Sequence, residues 1–243
     1  MSFVVSAFMS VSENIVRVRE RIQAAATRSG RDPAIITLMA VSKTFPADSI
    51  RDAYQAGIRH FGENRVQEFA GKVGDLGDLG EARWHLIGHL QSNKATKASE
   101  LFHAVDSVDS LKLAEKLNEA VNKTNKRLAV LIEINVGGEE AKSGVAPGSP
   151  ELDHLLSAAR QLEHLQVKGL MTIPPFFDNP EATRLYFRKL RALRDQIAAR
   201  NLPGVEMATL SMGMSHDFEV AIEEGSTCVR VGTAIFGERS RKL

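Results

Sequence analysis

Ile35-Ile36-Thr37-Leu38-Met39-Ala40-Val41-Ser42-Lys43-Thr44-Phe45 opens with a short apolar run that reads as a strand and breaks off at Ser42-Lys43. A helical pattern over Pro46–Ala56 follows, and then a second short run, Arg59–Gly62. Strand, helix, strand is the unit of a parallel sheet, because parallel neighbours need a long crossover. The alternation continues outward through candidate strands Trp84–Gly88, Leu101–Val105, Leu128–Val136, Val167–Ile173, Met207–Ser211 and Cys228–Gly232. Helical patterns lie between them, among them Leu111–Val121, Glu151–Leu162 and Glu181–Ala199. Eight strands alternating with helices predict an α/β protein, and eight repeats predict closure into a single (β/α)8 TIM barrel. An open doubly wound sheet is the competing arrangement of the same elements.

Upstream of the first strand, Ser10-Val11-Ser12-Glu13 fits a capping box, with serine and glutamate placed to satisfy the first free amides of a helix. Behind it Val11, Ile15, Val18 and Ile22 make one apolar stripe, and Gly30 and Pro33 mark the stop. The barrel is therefore expected to carry an extra N-terminal helix, about residues 10–29, covering one end or packing alongside. No Pro- or Ser-rich linker divides the chain, so residues 1–243 read as one domain. The irregular stretch Gly137–Gly144 after the fifth strand reads as a mobile loop at the carboxyl end of the barrel, the face on which this fold builds its sites.

The 243 residues match the length of one such barrel, and 43% hydrophobic with 25% charged residues is ordinary soluble composition. Lys and Arg number 31 against 30 Asp and Glu, with no basic run, which gives no support for a nucleic-acid or anionic-membrane surface. The single cysteine, Cys228, allows no internal disulfide and suits a reducing compartment. Phe3–Met9 is apolar but has no basic start and is too short to cross a membrane. The terminal Arg241-Lys242-Leu243 differs from a peroxisomal address at its first position. A cytoplasmic location is expected.

Lys43 ends the first strand and shares a face with Val41 and Met39. If that face points into the barrel, the amine sits at the mouth of an apolar core, where desolvation favours imine chemistry with an aldehyde. Taken alone, the position favours a lysine reaching solvent. A second cluster, Ser211-Met212-Gly213-Met214-Ser215, follows strand seven, and Arg230-Val231-Gly232-Thr233-Ala234-Ile235-Phe236-Gly237 follows strand eight. Hydroxyls and unobstructed amides after strands seven and eight form a recurrent phosphate site in this fold, although glycines also simply make turns and Ser215 could be an N-cap. Arg230 lies inside an apolar strand and needs a partner, a structural ion pair being the plainest one. Cys228 reads as a packing residue. His85 and His89 lie on a strand entering a glycine turn, with no glutamate after His85, so no metal site is expected, though His85 could line a pocket.

Six segments in order along the chain resemble one family. They are Val41-Ser42-Lys43-Thr44, Phe61-Gly62-Glu63-Asn64-Arg65-Val66-Gln67-Glu68, Trp84-His85-Leu86-Ile87-Gly88-His89-Leu90-Gln91, Gly169-Leu170-Met171-Thr172-Ile173, Leu210-Ser211-Met212-Gly213-Met214-Ser215 and Val229-Arg230-Val231-Gly232-Thr233-Ala234-Ile235-Phe236-Gly237. Together they look like the pyridoxal 5′-phosphate (PLP) homeostasis proteins, also called proline synthetase co-transcribed homologues. The resemblance implies a fold type III PLP protein similar to the barrel domain of bacterial alanine racemase. It implies PLP held as a Schiff base on Lys43, with Ser211, Gly232 and Thr233 on the phosphate and Ser215 as a helper. Arg230 would face the pyridine nitrogen, Asn64 would sit near the ring, and His85 and Met171 would wall the pocket. The family is regarded as buffering PLP or delivering it to PLP-requiring apoenzymes, with effects on amino-acid and keto-acid balance and no accepted turnover. One departure is the glycine-rich Asn135-Val136-Gly137-Gly138-Glu139-Glu140, which bears on the loop and leaves the cofactor site untouched.

An arginine facing the pyridine nitrogen disfavours its protonation and weakens the ring as an electron sink. A two-base racemase also needs donors on both faces of the cofactor. In alanine racemase the second base is a tyrosine brought by another domain and a partner subunit. Here Tyr54 and Tyr186 fall in expected helices, and the sequence ends soon after Arg230, so no second domain is expected. A PLP carrier, monomeric for want of a swapped domain, therefore ranks first. A low-activity PLP-dependent amino-acid racemase ranks second, and an aldolase or isomerase using Lys43 without PLP ranks third.

Overall fold

The computed structural model describes residues 9–123, 126–139 and 143–238. Its strands are β1 (Thr37–Val41), β2 (His60–Glu63), β3 (Arg83–Leu86), β4 (Ala104–Val108), β5 (Leu128–Glu133), β6 (Leu165–Met171), β7 (Val205–Met214) and β8 (Cys228–Val231). All pair in parallel, in chain order, and β8 returns to β1 through Met39↔Arg230 and Ala40↔Val231. The barrel is closed, which removes the open-sheet alternative. The helices are α1 (Val11–Arg28), α2 (Ala47–Gln55), α3 (Val66–Lys72), α4 (Ala95–Leu101), α5 (Leu111–Asn122), α6 (Pro150–Ala158), α7 (Arg184–Ala199), α8 (Phe218–Glu223) and α9 (Thr233–Phe236).

Strand alternation sorts the residues into two layers. Ala40, Val105, Val130, Ile132 and Val229 face outward into one continuous core with Ile50, Phe69, Leu117, Leu155 and Phe187 of the surrounding helices. Met39 and Val41 face inward, where they meet Ile87 and Cys228 in a small separate cluster. The rest of the lumen is markedly polar, with Asp106, Glu133, Ser211 and Arg230 all buried. A barrel interior is normally filled by branched apolar residues. Charged groups placed there are costly unless something meets them, so the lumen is where chemistry is to be sought.

Helix α1 forms as its sequence indicates, with Ser10 and Glu13 exchanging both capping-box bonds and Ile15, Val18 and Ile22 buried. It packs alongside the barrel, against α8, α9 and α2. Helix α9 has only four residues, so α1 takes the ring position that a full helix after β8 would occupy.

Two element boundaries differ from expectation in ways that matter. Leu101 ends α4 and β4 begins at Ala104, because the apolar Leu101-Phe102 pair belongs to helix packing: the Phe102 ring lies 4.9 Å from Phe69. Strand β7 runs past Ser211 to Met214, with a register shift against β8 between those residues. Gly213 makes this possible, since its φ is +92° and a Cβ there would lie 2.5 Å from the Ala221 Cβ. In the loop after β5, the described residues are clamped by Asn135, which accepts from the Gly138 amide at 3.0 Å and donates to the Glu139 carbonyl at 2.8 Å. Phe3–Phe8, residues 140–142 and Arg241–Leu243 lie outside the described residues. Among the described residues no helix is long and apolar enough to cross a membrane.

Candidate functional site

Lys43 leaves the carboxyl end of β1 in phase with inward-facing Met39 and Val41 and is half-buried. The chain turns immediately, with the Phe45 amide donating to the Ser42 carbonyl at 3.1 Å. The neighbouring rim is the end of β8. A Cβ on Gly232 would stand 3.5 Å from the Val41 side chain, which places that turn against Lys43's own strand. The Phe45 ring stacks on Phe236 with centroids 4.8 Å apart, tying the β1 and β8 loops together.

At the β7 and β8 ends, the Ser215 hydroxyl oxygen accepts from the amides of Gly232 at 3.1 Å and Ala234 at 3.3 Å. Thr233 is exposed between them. The two amides converge on the Ser215 oxygen and fix it, which leaves its hydroxyl hydrogen to donate beside the exposed Thr233 hydroxyl, donors that suit a phosphate. Ser211 does not reach this spot. It is fully buried, opposite Cys228 in the register, and its hydroxyl accepts from Arg230 Nη1 at 2.7 Å. The expectation that Ser211 belongs with Gly232 and Thr233 fails because β7 continues beyond it. Ser215 is the hydroxyl the fold delivers.

Arg230 reaches past β7 to the end of β6, with Nη2 donating to the Thr172 carbonyl at 2.7 Å. Among the described residues it makes no ion pair, contrary to the plain expectation. Burial lowers its pKa, while Cys228 and the more distant carboxylates of Asp106, Asp217 and Glu133 oppose that shift. Cys228 is a packing thiol pushed up to about 12, chiefly by burial. Among the described residues, two oxygens at this end of the barrel, Asn64 Oδ1 and Glu133 Oε2, are buried without a hydrogen bond. Asn64 follows β2, and Gly88 is what lets the next loop approach it, since a Cβ there would lie 2.4 Å from the Asn64 carbonyl oxygen. Glu133 ends β5, the strand diametrically across the barrel from β1. Burial raises its pKa to about 7, helped by Asp109 and opposed by Arg230 and His89. Met171 ends β6, fully buried and paired in register with Glu133 and Ser211.

His85 points elsewhere. Its Nε2 lies 3.0 Å from His60 Nδ1, and its Nδ1 lies 3.2 Å from Asp106. These residues line a cavity of about 410 Å³ that includes Ile35, Thr37 and Thr227, at the amino-terminal end of the barrel. Burial and then the adjacent His85 ring lower the His60 pKa to about 4, so it is neutral at physiological pH. His85 is thus corrected from a wall of the carboxyl-end pocket to a member of this opposite cavity. Sequence reading also missed Glu133, although a charge inside Leu131-Ile132-Glu133-Ile134 is the same signal that singles out Arg230.

Comparison with known proteins agrees with this fold. The family described as "Alanine racemase, N-terminal domain" matches residues 14–240. The pyridoxal phosphate homeostasis protein of Aquifex aeolicus is 48% identical over 231 residues, covering 95% of this chain and 99% of that protein. The PipY protein of Synechococcus elongatus, solved with PLP bound, has a TM-score of 0.82 at 37% identity, covering 94% of this chain and all of that one. An alanine racemase of Clostridium difficile has a TM-score of 0.68 at 16% identity, covering 96% of this chain and 58% of that one, which shows the shared fold.

Proposed function

This chain belongs to the pyridoxal phosphate homeostasis proteins, within the alanine racemase N-terminal-domain family, and from that premise we propose that it binds PLP as a Schiff base on Lys43 and serves intracellular PLP homeostasis. The observation that carries this reading is the placement of an amine and an anion-ready turn on adjacent strands of one rim, β1 and β8. The unpartnered Asn64 oxygen and the Arg230 cation without a carboxylate partner fit a polar ring held between them.

When bound, PLP supplies an aldehyde that condenses with an amine and a ring that withdraws electron density. The Ser215 and Thr233 hydroxyls would grip the phosphate at the Gly232 turn, with the Gly232 amide holding Ser215 in place. Arg230 would lie against the pyridine nitrogen and keep a proton off it, with Ser211 and the Thr172 carbonyl fixing the guanidinium from behind. Asn64 would face the ring, and Met171 would wall the pocket. A cation at that nitrogen weakens most reactions of the cofactor, which favours a carrier over a catalyst. Tyr54 and Tyr186, the two tyrosines, lie on the outer helices α2 and α7. We read the protein as a single-domain cytoplasmic monomer that passes PLP to PLP-requiring apoenzymes, with effects on amino-acid and keto-acid balance. Gel filtration and transfer of PLP to an apo-aminotransferase test these points.

The direct test is an absorption spectrum of the purified protein with and without added PLP. An imine band that appears with PLP and is absent in Lys43→Ala is expected; a protein that takes up no PLP refutes the reading. One observation favours a second reading, a low-activity amino-acid racemase. Glu133 is a buried carboxyl that titrates near neutrality on the strand opposite Lys43, where a second proton carrier would have to stand. Chiral chromatography on a panel of L-amino acids, with Glu133→Gln as control, decides it: no D-product removes this alternative.

A further inference from the structure

Lys43 sits in a turn that its own sequence does not favour. The turn Ser42–Phe45 is closed by one backbone bond, and its third residue, Thr44, has φ +69° while Lys43 does not have positive φ. That is the pattern of a type II turn, whose third position normally takes glycine or asparagine. A β-branched residue rarely adopts such a conformation, so something outside the turn must hold it.

The holding group is Lys72, at the last position of α3. Its ammonium donates to the carbonyls of Ser42 at 3.1 Å and Phe45 at 3.4 Å, the two that bracket Lys43 and Thr44. Two carboxylates anchor the ammonium, Glu63 Oε1 at 2.8 Å and Glu68 Oε1 at 3.5 Å. The same two oxygens reach back to the turn. Glu63 Oε1 accepts from the Ser42 hydroxyl at 2.6 Å, and Glu68 Oε1 accepts from the Thr44 amide at 2.5 Å. The Glu63 side chain is fully buried and that of Lys72 is 13% exposed. Desolvating such a pair is expensive, and α3 already docks through Val66 and Phe69. Four hydrogen bonds of the cluster end on the segment that carries Lys43.

We propose that Lys72, with Glu63 and Glu68, is a positioning device that holds the Ser42–Phe45 turn in its strained form and so fixes the base from which the Lys43 amine reaches an aldehyde. This rests on Lys43 being the PLP-binding amine. It assigns the cluster a conformational role, with no contact to the cofactor.

The test uses the full chain and PLP itself. Glu63→Gln/Lys72→Met removes both charges together and leaves no buried ion unpaired. It is expected to weaken PLP by about tenfold or more in an absorbance titration, since small misplacements of a reacting group carry large penalties. Amide exchange at Thr44 and Phe45 should quicken in the same variant. Adding Thr44→Gly, which suits the turn by itself, should restore most of the affinity, and Thr44→Gly alone should bind as wild type. If the double variant does not fold, Glu68→Ala, which removes the acceptor of the Thr44 amide and the longer of the two Lys72 ion pairs, should give a smaller loss that Thr44→Gly also rescues. Wild-type affinity in Glu63→Gln/Lys72→Met, or in Glu68→Ala where that replaces it, overturns the proposal. So does a loss that Thr44→Gly fails to rescue, since the cluster would then act through charge. Failure of the wild-type protein to form an imine would instead sink the PLP reading.

Discussion

Replacing Glu133 by glutamine exchanges a buried, unpartnered carboxyl for a neutral amide of nearly the same shape. Burial carries the carboxyl from its ordinary 4.5 to about 7. The folded state therefore holds this proton more tightly than the unfolded chain does. The stability this represents is complete below the unfolded value and is lost as pH rises through the folded one. At about 1.4 kcal/mol for each tenfold difference in proton affinity, the loss reaches about 3 kcal/mol above neutrality. Glutamine does not ionise and escapes it. Relative to wild type, Glu133→Gln should gain less than about 1 kcal/mol at about pH 5 and about 3 kcal/mol at about pH 8.5. Urea unfolding of the PLP-free proteins at both pH values measures the difference, and a gain equal at the two would refute a raised carboxyl pKa.

Other expected outcomes separate the roles of individual residues. Ser215→Ala removes a hydroxyl donor from the phosphate and the anchor of the Gly232 and Ala234 amides, and should lower PLP affinity about tenfold, read by absorbance titration. Ser211→Ala should instead cost about 1–3 kcal/mol of stability in urea unfolding, by removing a hydrogen-bond acceptor from the buried Arg230 cation. Gly88→Ala forces a Cβ to within 2.4 Å of the Asn64 carbonyl oxygen, so PLP retention should fall while circular dichroism stays that of the intact barrel. Gly169→Ala places a Cβ 1.8 Å from the Thr209 oxygen at φ +158°, and should destabilise the barrel by more than about 3 kcal/mol in the same unfolding assay.

Much of the fold was legible because strands announce themselves by short apolar runs between helical stripes, and all eight runs overlap real strands. Lys43 could be placed by counting alternate residues from Met39 and Val41. Boundaries were less legible where an apolar pair served a helix, as at Leu101-Phe102, or where one glycine let a strand bend and continue, as at Gly213. The second of these led directly to the misplacement of Ser211. His85 could not be assigned to an end of the barrel from sequence, because its orientation depends on His60 and Asp106 on neighbouring strands. The cluster under Lys43 was hidden for the same reason. Glu63, Glu68 and Lys72 look like ordinary charges until β2 and α3 bring them beneath the turn.

The most direct measurement is a peptide map by mass spectrometry after borohydride reduction of the protein loaded with PLP. One pyridoxyl-phosphate adduct on the peptide carrying Lys43 is expected, absent in Lys43→Ala. Reduction that leaves Lys43 unmodified, or labels another lysine in its place, would contradict the account.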